Sequence, residues 1–320
     1  MSLKALIVFG ILFSVNVKAV DAPIAQAEKL FRVGKIDEAK RILTTYITDH
    51  ENASGYINVG NLYARLKRWP EAVHYLDIAT KRDAHNALAW YELGLAQHQN
   101  KDVPAAIECL RHSLQLSSST AKTYSALGQI LELSGDRYDA RTNYEGALAR
   151  AGENALWHQR LCWLLYKDNF FVEAIKQCQA AVRMNPADDL AWAVLGKSFY
   201  ENHQKTEAFA IFHKVLSARP RSELTYKARG IIYLNEKTYE EAVADLGKAF
   251  GLNENDDEAA IGLARSLFET GRYAEALPIY VEACKLDRSY RYELLAKQRE
   301  VSRKHRDELA TQYQEAFDKF

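Results

Sequence analysis

Eight alanines, Ala39, Ala72, Ala106, Ala140, Ala174, Ala208, Ala242 and Ala276, stand 33 residues apart once and 34 residues apart six times. A fixed period of this length means that one short unit is used about eight times over, which narrows the folds open to the chain to repeat architectures. The stretch from Asp189 to Ser222 shows what the unit is. Trp192, Leu195, Gly196 and Phe199 follow at steps of three, one and three, the spacing of one stripe on a helix. Ala208, Phe212 and Val215 form the stripe of a second helix, and Pro220 ends it because proline cannot continue the hydrogen-bond ladder. Two such short helices bury too little to offset a backbone ordering cost of roughly 1 to 2 kcal/mol per residue. They must stack on copies of themselves.

Other columns keep the same register. Twelve residues before each alanine stand Ala27, Gly60, Gly94, Gly128, Cys162, Gly196, Gly230 and Ala264, all small enough for two helices to approach closely. Sixteen before it come Tyr56, Trp90, Tyr124, His158, Trp192 and Tyr226, with Pro23 and Ala260 at the ends. The turn column holds Gly34, Lys67, Lys101, Gly135, Asn169, His203, Lys237 and Gly271. Glycine and asparagine suit a left-handed turn residue, whereas the lysines and the histidine are unexpected there.

These columns resemble the tetratricopeptide repeat family over roughly residues 20–290. The resemblance implies an all-α, right-handed superhelical solenoid of paired antiparallel helices with a concave, peptide-binding face. Repeats begin near residues 20, 53, 87, 121, 155, 189, 223 and 257. The first has lost its aromatic and reads as an N-terminal cap. Residues 291–320 leave the pattern and read as one charged C-terminal capping helix, covering the last repeat's apolar face. A sharper reading makes its basic run, Lys297 to Arg306, and the tail Tyr313, Phe317 and Phe320 a docking segment.

The N-terminus is of a different kind. A charge at Lys4, an apolar run from Ala5 to Val15 and small residues around Ala19 form the pattern of a secretory signal peptide over residues 1–19. Cleavage is expected near Ala19 or Ala22, and with it a soluble protein of the bacterial periplasm. The run is too short and too interrupted for a membrane-spanning helix. With 42 basic and 42 acidic residues the chain has no global field for nucleic acid or anionic membrane, and neither is expected as a partner.

Motifs that carry chemistry are missing. The chain has no HExxH, no GxSxG turn and no glycine-rich phosphate loop, and its four cysteines form no close pair of the zinc-binding kind. No enzyme activity, cofactor or metal is expected. Cys162 and Cys178 occupy the small column and the facing second-helix column of one repeat, so a bridge between them is open. Helix-to-helix Cα separations often exceed the roughly 7 Å that a disulfide spans, and two buried free thiols are the expectation.

If the Trp192 stripe packs inward, the first helices turn another face outward, which in the resembling family lines the groove. That face reads as greasy, with Ile57, Leu95, Ala193, Ile261 and Phe268 among its members. The candidate partner-binding set on it is Tyr91, Trp163, Tyr166, Lys197, Tyr200, Lys227 and Arg265, suited to a peptide with apolar anchors and some acid. The family's carboxylate clamp is not matched. Asn58 and Asn61 are present, but Ile57 and Leu88 stand where the clamp would place lysines. A groove ladder of asparagines is missing too. The expected function is therefore a non-catalytic, monomeric scaffold binding a protein or peptide in the envelope. The alternatives are a scaffold subunit of exopolysaccharide export and a self-associating structural protein.

Overall fold

The computed structural model describes residues 21–117, 120–303 and 307–319, so the expected signal peptide, Lys304, Arg306 and Phe320 lie outside the described residues. The described residues are all-helical and fall into two compact units that part between residues 157 and 158. The first holds α1 (Ala22–Arg32), α2 (Ile36–Asp49), α3 (Ala53–Arg65), α4 (Trp69–Arg82), α5 (Ala87–Gln99), α6 (Val103–Leu116), α7 (Ala121–Ser134) and α8 (Arg137–Ala151). Helix α9 (Ala155–Lys167) runs through the division, and the second unit continues with α10 (Phe171–Met184), α11 (Asp189–Glu201), α12 (Lys205–Ala218), α13 (Glu223–Asn235), α14 (Tyr239–Leu252), α15 (Asp257–Glu269) and α16 (Tyr273–Leu286). A 3-10 turn (Arg288–Tyr290) leads to α17 (Arg291–Arg303) and α18 (Asp307–Phe317). Helices α1 to α16 are eight pairs, each starting within two residues of the sequence register.

All eight pairs turn in the same way. The turn-column residue has positive φ in every repeat, from 57° at Lys67 to 91° at Gly135. The next residue donates its N–H to the carbonyl five positions back, at 2.9 Å in all eight, as from Lys35 to Leu30 and from Arg272 to Leu267. This is the Schellman closure of the first helix. Lys67, Lys101, Asn169, His203 and Lys237 hold a conformation that favours glycine, so the closure and the packing that follows outweigh a local cost of about 1 to 2 kcal/mol.

Small and large residues interlock sixteen positions apart. A Cβ added at Gly60 would meet Leu76, at Gly94 Leu110, at Gly128 Tyr144, at Gly196 Phe212 and at Gly230 Leu246. The fifth repeat fills the same two columns with Cys162 and Cys178, both with no exposed surface, and they are joined by a disulfide. The expectation of free thiols is thereby corrected. Glycine-column helices come closer than helices ordinarily do, and the Cα–Cα distance here is 5.0 Å, inside the span a disulfide needs. Cys109 and Cys284 are buried free thiols.

The aromatic column is less buried than its size suggests. Trp192 is only partly buried, donating its indole N–H to the carbonyl of Pro186 at 3.0 Å, and Trp90 does the same to Ala84 at 2.9 Å. Each ring clasps the link from the preceding repeat. A residue of the paired second helix covers its other side, as Lys214 does over Trp192, His112 against Trp90 and Arg150 over Tyr124. In the core proper, Leu195, Ala208 and Phe212 are fully or almost fully enclosed.

The C-terminal segment caps, but as two helices packed on each other rather than one. Leu294 and Val301 of α17 and Ala310, Tyr313 and Ala316 of α18 join the core of the last repeat. Tyr313 packs edge-on against Phe268 and Tyr280 and donates its hydroxyl to the Tyr273 carbonyl at 2.8 Å. Lys297 lies over the Phe268 ring and bonds Glu269. These members of the supposed docking segment are part of the cap's own packing. Pro278 sits inside α16 on its exposed side.

Gly196→Leu should lower stability by about 1 to 3 kcal/mol or more in urea unfolding, because its Cβ would lie 2.3 Å from the Phe212 ring. Gly251→Ala, with nothing within 4 Å and a helical backbone, should gain about 0.5 to 1 kcal/mol; the reverse order would refute the packing register. Cys178→Ala, or reduction of the unfolded and refolding chain by dithiothreitol, should cost about 2 to 4 kcal/mol by the same measurement. An unchanged unfolding midpoint would mean that the bridge does not stabilise the fifth repeat.

Candidate functional site

The first helices carry the candidate residues, and their surroundings follow from how those helices stack. In the second unit α11 packs on α13 and α13 on α15; in the first, α3 packs on α5. This stacking buries much of the face expected to be open. Ile57, Leu95, Ala193, Ile261 and Phe268 are core residues.

Three of the seven candidate residues come together. On α9 the Trp163 and Tyr166 rings lie 6.2 Å apart, and Lys167 reaches over Trp163 at 4.6 Å. Lys197 of α11 places its ammonium over Tyr166 at 4.9 Å, a cation held against an aromatic face. No hydrogen bond or ion pair engages that ammonium among the described residues. Burial holds its pKa below the usual lysine range, with Lys227 adding to the effect and Glu258 and Glu201 opposing it. Burial likewise pushes the Tyr166 hydroxyl up to about 12.

The other four are placed differently. Lys227 on α13 hydrogen-bonds Asp256, the residue that caps α15, and has Glu258 at 3.6 Å and Glu223 at 3.8 Å. Burial disfavours its charge, but these carboxylates outweigh that and raise its pKa. Arg265 on α15 forms a two-pronged pair with Glu293 of α17, at 2.8 and 2.7 Å. Tyr200 donates to Glu236 at 3.1 Å, beside the Lys205–Glu236 pair, and no ring contact joins it to Trp163 or Tyr166 among the described residues. Tyr91 belongs to the first unit, half-buried, with its hydroxyl pushed up to about 12 by burial.

Two features escaped the sequence reading. The first is a tie between repeats: Gln159 donates to both oxygens of Asp188, at 2.8 and 2.7 Å, twenty-nine positions on, and Lys227 at the same spacing donates to one oxygen of Asp256. The signal was the recurring Asn or Asp just before a first helix, at 52, 86, 188 and 256, each of which caps its helix. The second is Glu92 on α5, only 8% exposed. Burial pushes its carboxyl up to about 7, against the pull of Lys122 on α7 and of the Asn61 side chain on α3. Asn61 has a buried Oδ1 without a partner. A glutamate in a helical run carries no sign of this in sequence.

Among the described residues no group of histidine, cysteine, aspartate and glutamate could hold a metal ion, and no helix is long and apolar enough to cross a membrane. The first helices of the second unit present two half-buried rings and a half-buried lysine, and α5 of the first unit holds a buried acid.

Tetratricopeptide repeat models match residues 58–119, 160–223 and 233–296, together more than half of the chain. The chain belongs to the tetratricopeptide repeat family, a class of protein-binding scaffolds that are typically non-catalytic. Among curated relatives it is 24% identical over 276 residues to superkiller complex protein 3 of Mus musculus, covering 83% of this chain and 18% of that protein. It is 24% identical over 228 residues to the peroxisomal targeting signal receptor of Kluyveromyces lactis, covering 60% and 40%. The chain thus spans well under half the length of these relatives. Among solved structures it is similar to YrrB, a tetratricopeptide repeat protein with an unusual peptide-binding site, at a TM-score of 0.54 and 20% identity over 58% of this chain and 97% of that one. It is also similar to a C-terminal repeat region from Cytophaga hutchinsonii, at a TM-score of 0.53 and 16% identity over 71% and 94%. At these identities the structural likeness is one of fold.

Glu92 gives the site a pH signature. Its carboxyl holds a proton more tightly folded than unfolded, so the folded chain binds more protons between about pH 4.5 and 7. Stability therefore falls as pH rises through that window, by about 3 kcal/mol for a shift from 4.5 to about 7. Glu92→Gln should be close to wild type at pH 5 and more stable at pH 8 in thermal melts. Equal effects at both pH values would mean that Glu92 is not buried as a charge.

Proposed function

We propose that this protein is an exported, non-catalytic scaffold that holds a segment of another protein along its first-helix face. The observation that carries this reading is the Trp163, Tyr166 and Lys197 cluster. Two half-buried rings offer anchors of the kind that dominate binding energy in desolvated patches. Lys197 offers a cation not engaged by any carboxylate, whereas Lys227 and Arg265 are neutralised by the neighbouring repeat or cap. The segment that fits has apolar or aromatic side chains with an acid among them. Export is supported by the N-terminal charge and apolar run, and by a fully buried disulfide, a bond that persists in oxidising compartments. The bacterial envelope is the compartment this reading assigns.

The test is affinity capture from envelope extracts by the mature protein, with mass spectrometry of what is held. Trp163→Ala combined with Lys197→Met should weaken capture at least tenfold, since each such anchor is worth about 2 kcal/mol. Circular dichroism and melting temperature should stay near wild type. A parallel loss of stability would make these residues core rather than site, and undiminished capture would place the binding surface elsewhere.

A further inference from the structure

The outer side of the C-terminal cap sorts its charges by helix. On α17, Tyr292, Ala296, Arg299 and Arg303 are exposed and follow at steps of four, three and four, a single stripe on the side away from the buried Leu294 and Val301. Arg288 stands exposed just before it, in the 3-10 turn. No acid joins this stripe, because the two carboxylates of α17 are engaged elsewhere, Glu293 by Arg265 and Glu300 by Lys297. Arg299 and Arg303, one turn apart, repel each other, and among the described residues neither closes an ion pair. Helix α18, packed on α17, is the opposite case. Its exposed side carries Asp307, Glu308, Glu315 and Asp318, with Thr311 and Gln312 between them and Lys319 just past the helix. Glu308 and Glu315 close no ion pair among the described residues either. A solvated helix face ordinarily mixes the two signs along its length. Here a basic stripe lies on one helix and an acidic face on its neighbour.

We propose that this two-helix face is a dimerisation surface whose occupant is the same face of a second copy of the chain. A two-fold axis parallel to the helices sets α17 of each copy against α18 of the other, so that arginines meet carboxylates on both sides of the axis. The contact is self-complementary because one cap carries both signs. Tyr292, 63% exposed, adds an aromatic side chain of the kind enriched at interfaces. An anionic surface or a polyanion fits less well, since the α18 acids beside the arginines would repel it. Helices of 13 and 11 residues make a small face, so the pair is weak and governed by charge. The Trp163 cluster takes no part in it, and the inference stands independently of the segment-binding reading. It departs from the monomer expected from the sequence.

The experiment is sedimentation equilibrium of the whole chain at concentrations up to about 0.2 mM, enough to populate a pair of micromolar affinity. Wild type should dimerise at about 50 mM salt and about tenfold more weakly at about 500 mM, where the screening length is about a third as long. Arg299→Glu with Arg303→Glu should be monomeric, since both helices of its cap are then acidic. Glu308→Arg with Glu315→Arg should be monomeric for the converse reason. Mixed in equal amounts, these two variants should dimerise with each other, and a chain carrying all four substitutions should dimerise with itself. Circular dichroism of each variant should match wild type, because all four positions are exposed. A wild type that stays monomeric at low salt overturns the inference, as does a dimer that survives either charge reversal. Failure of both the mixture and the fourfold variant to pair overturns it as well, because a merely structural effect of the reversals would not be cured by combining them.

Discussion

The close approach of two helices at one small residue is the contact on which the rest of this molecule depends. Where Gly60, Gly94, Gly128, Gly196 or Gly230 stands, the partner helix sets a Leu, Tyr or Phe against bare backbone, near enough that a Cβ would collide with it or be pressed against it. That contact fixes the tilt and spacing within a pair, and so fixes how the next pair can stack. The left-handed turn residue is a consequence: the chain must reverse within a few residues, and the Schellman closure does so at the same place in all eight repeats. The disulfide is another. Only where helices lie this close can two cysteines in the small and large columns be joined, and the covalent bond there replaces an apolar contact.

Some polar side chains join one repeat to the next. Gln159 with Asp188 and Lys227 with Asp256 tie a first helix to the cap of its successor, and Arg265 ties the last repeat to the capping helices through Glu293. A chain with equal numbers of acids and bases, and no net charge, accommodates this readily. The same economy decides which groups are left to act on a partner. Two of the cations expected to meet one are neutralised from within, and the one that is not, Lys197, rests on an aromatic ring instead. On the other unit, burial of Glu92 pushes its carboxyl up to about 7.

This division between framework and face accounts for the pattern of relatives. Over the residues that align, proteins about a fifth to a quarter identical to this chain differ from it in length and in what their names describe. Any stack of paired helices needs the small and large columns, whatever the protein does. The outward positions of the first helices are not bound by that requirement.

Periodicity alone determined the fold. Small residues at one interval, large ones sixteen positions on and a turn residue between them leave paired, stacked helices as the arrangement that buries every unit's stripe. The capping role of the C-terminal segment was legible for the same reason, since its apolar residues had to cover an open end, although its two-helix form was not. Tertiary structure decided everything that depends on distance between columns. Cys162 and Cys178 are sixteen residues apart in sequence whether or not their backbones stand 5.0 Å apart. Lys197 and Lys227 stand about one turn apart in register on the first helices of successive repeats, yet one meets the Tyr166 ring and the other Asp256, because what each meets lies on a different helix. Sequence period states which residues share a face. Whether that face is open, stacked or electrostatically answered is set by the neighbouring repeat, and a single chain position carries no record of it.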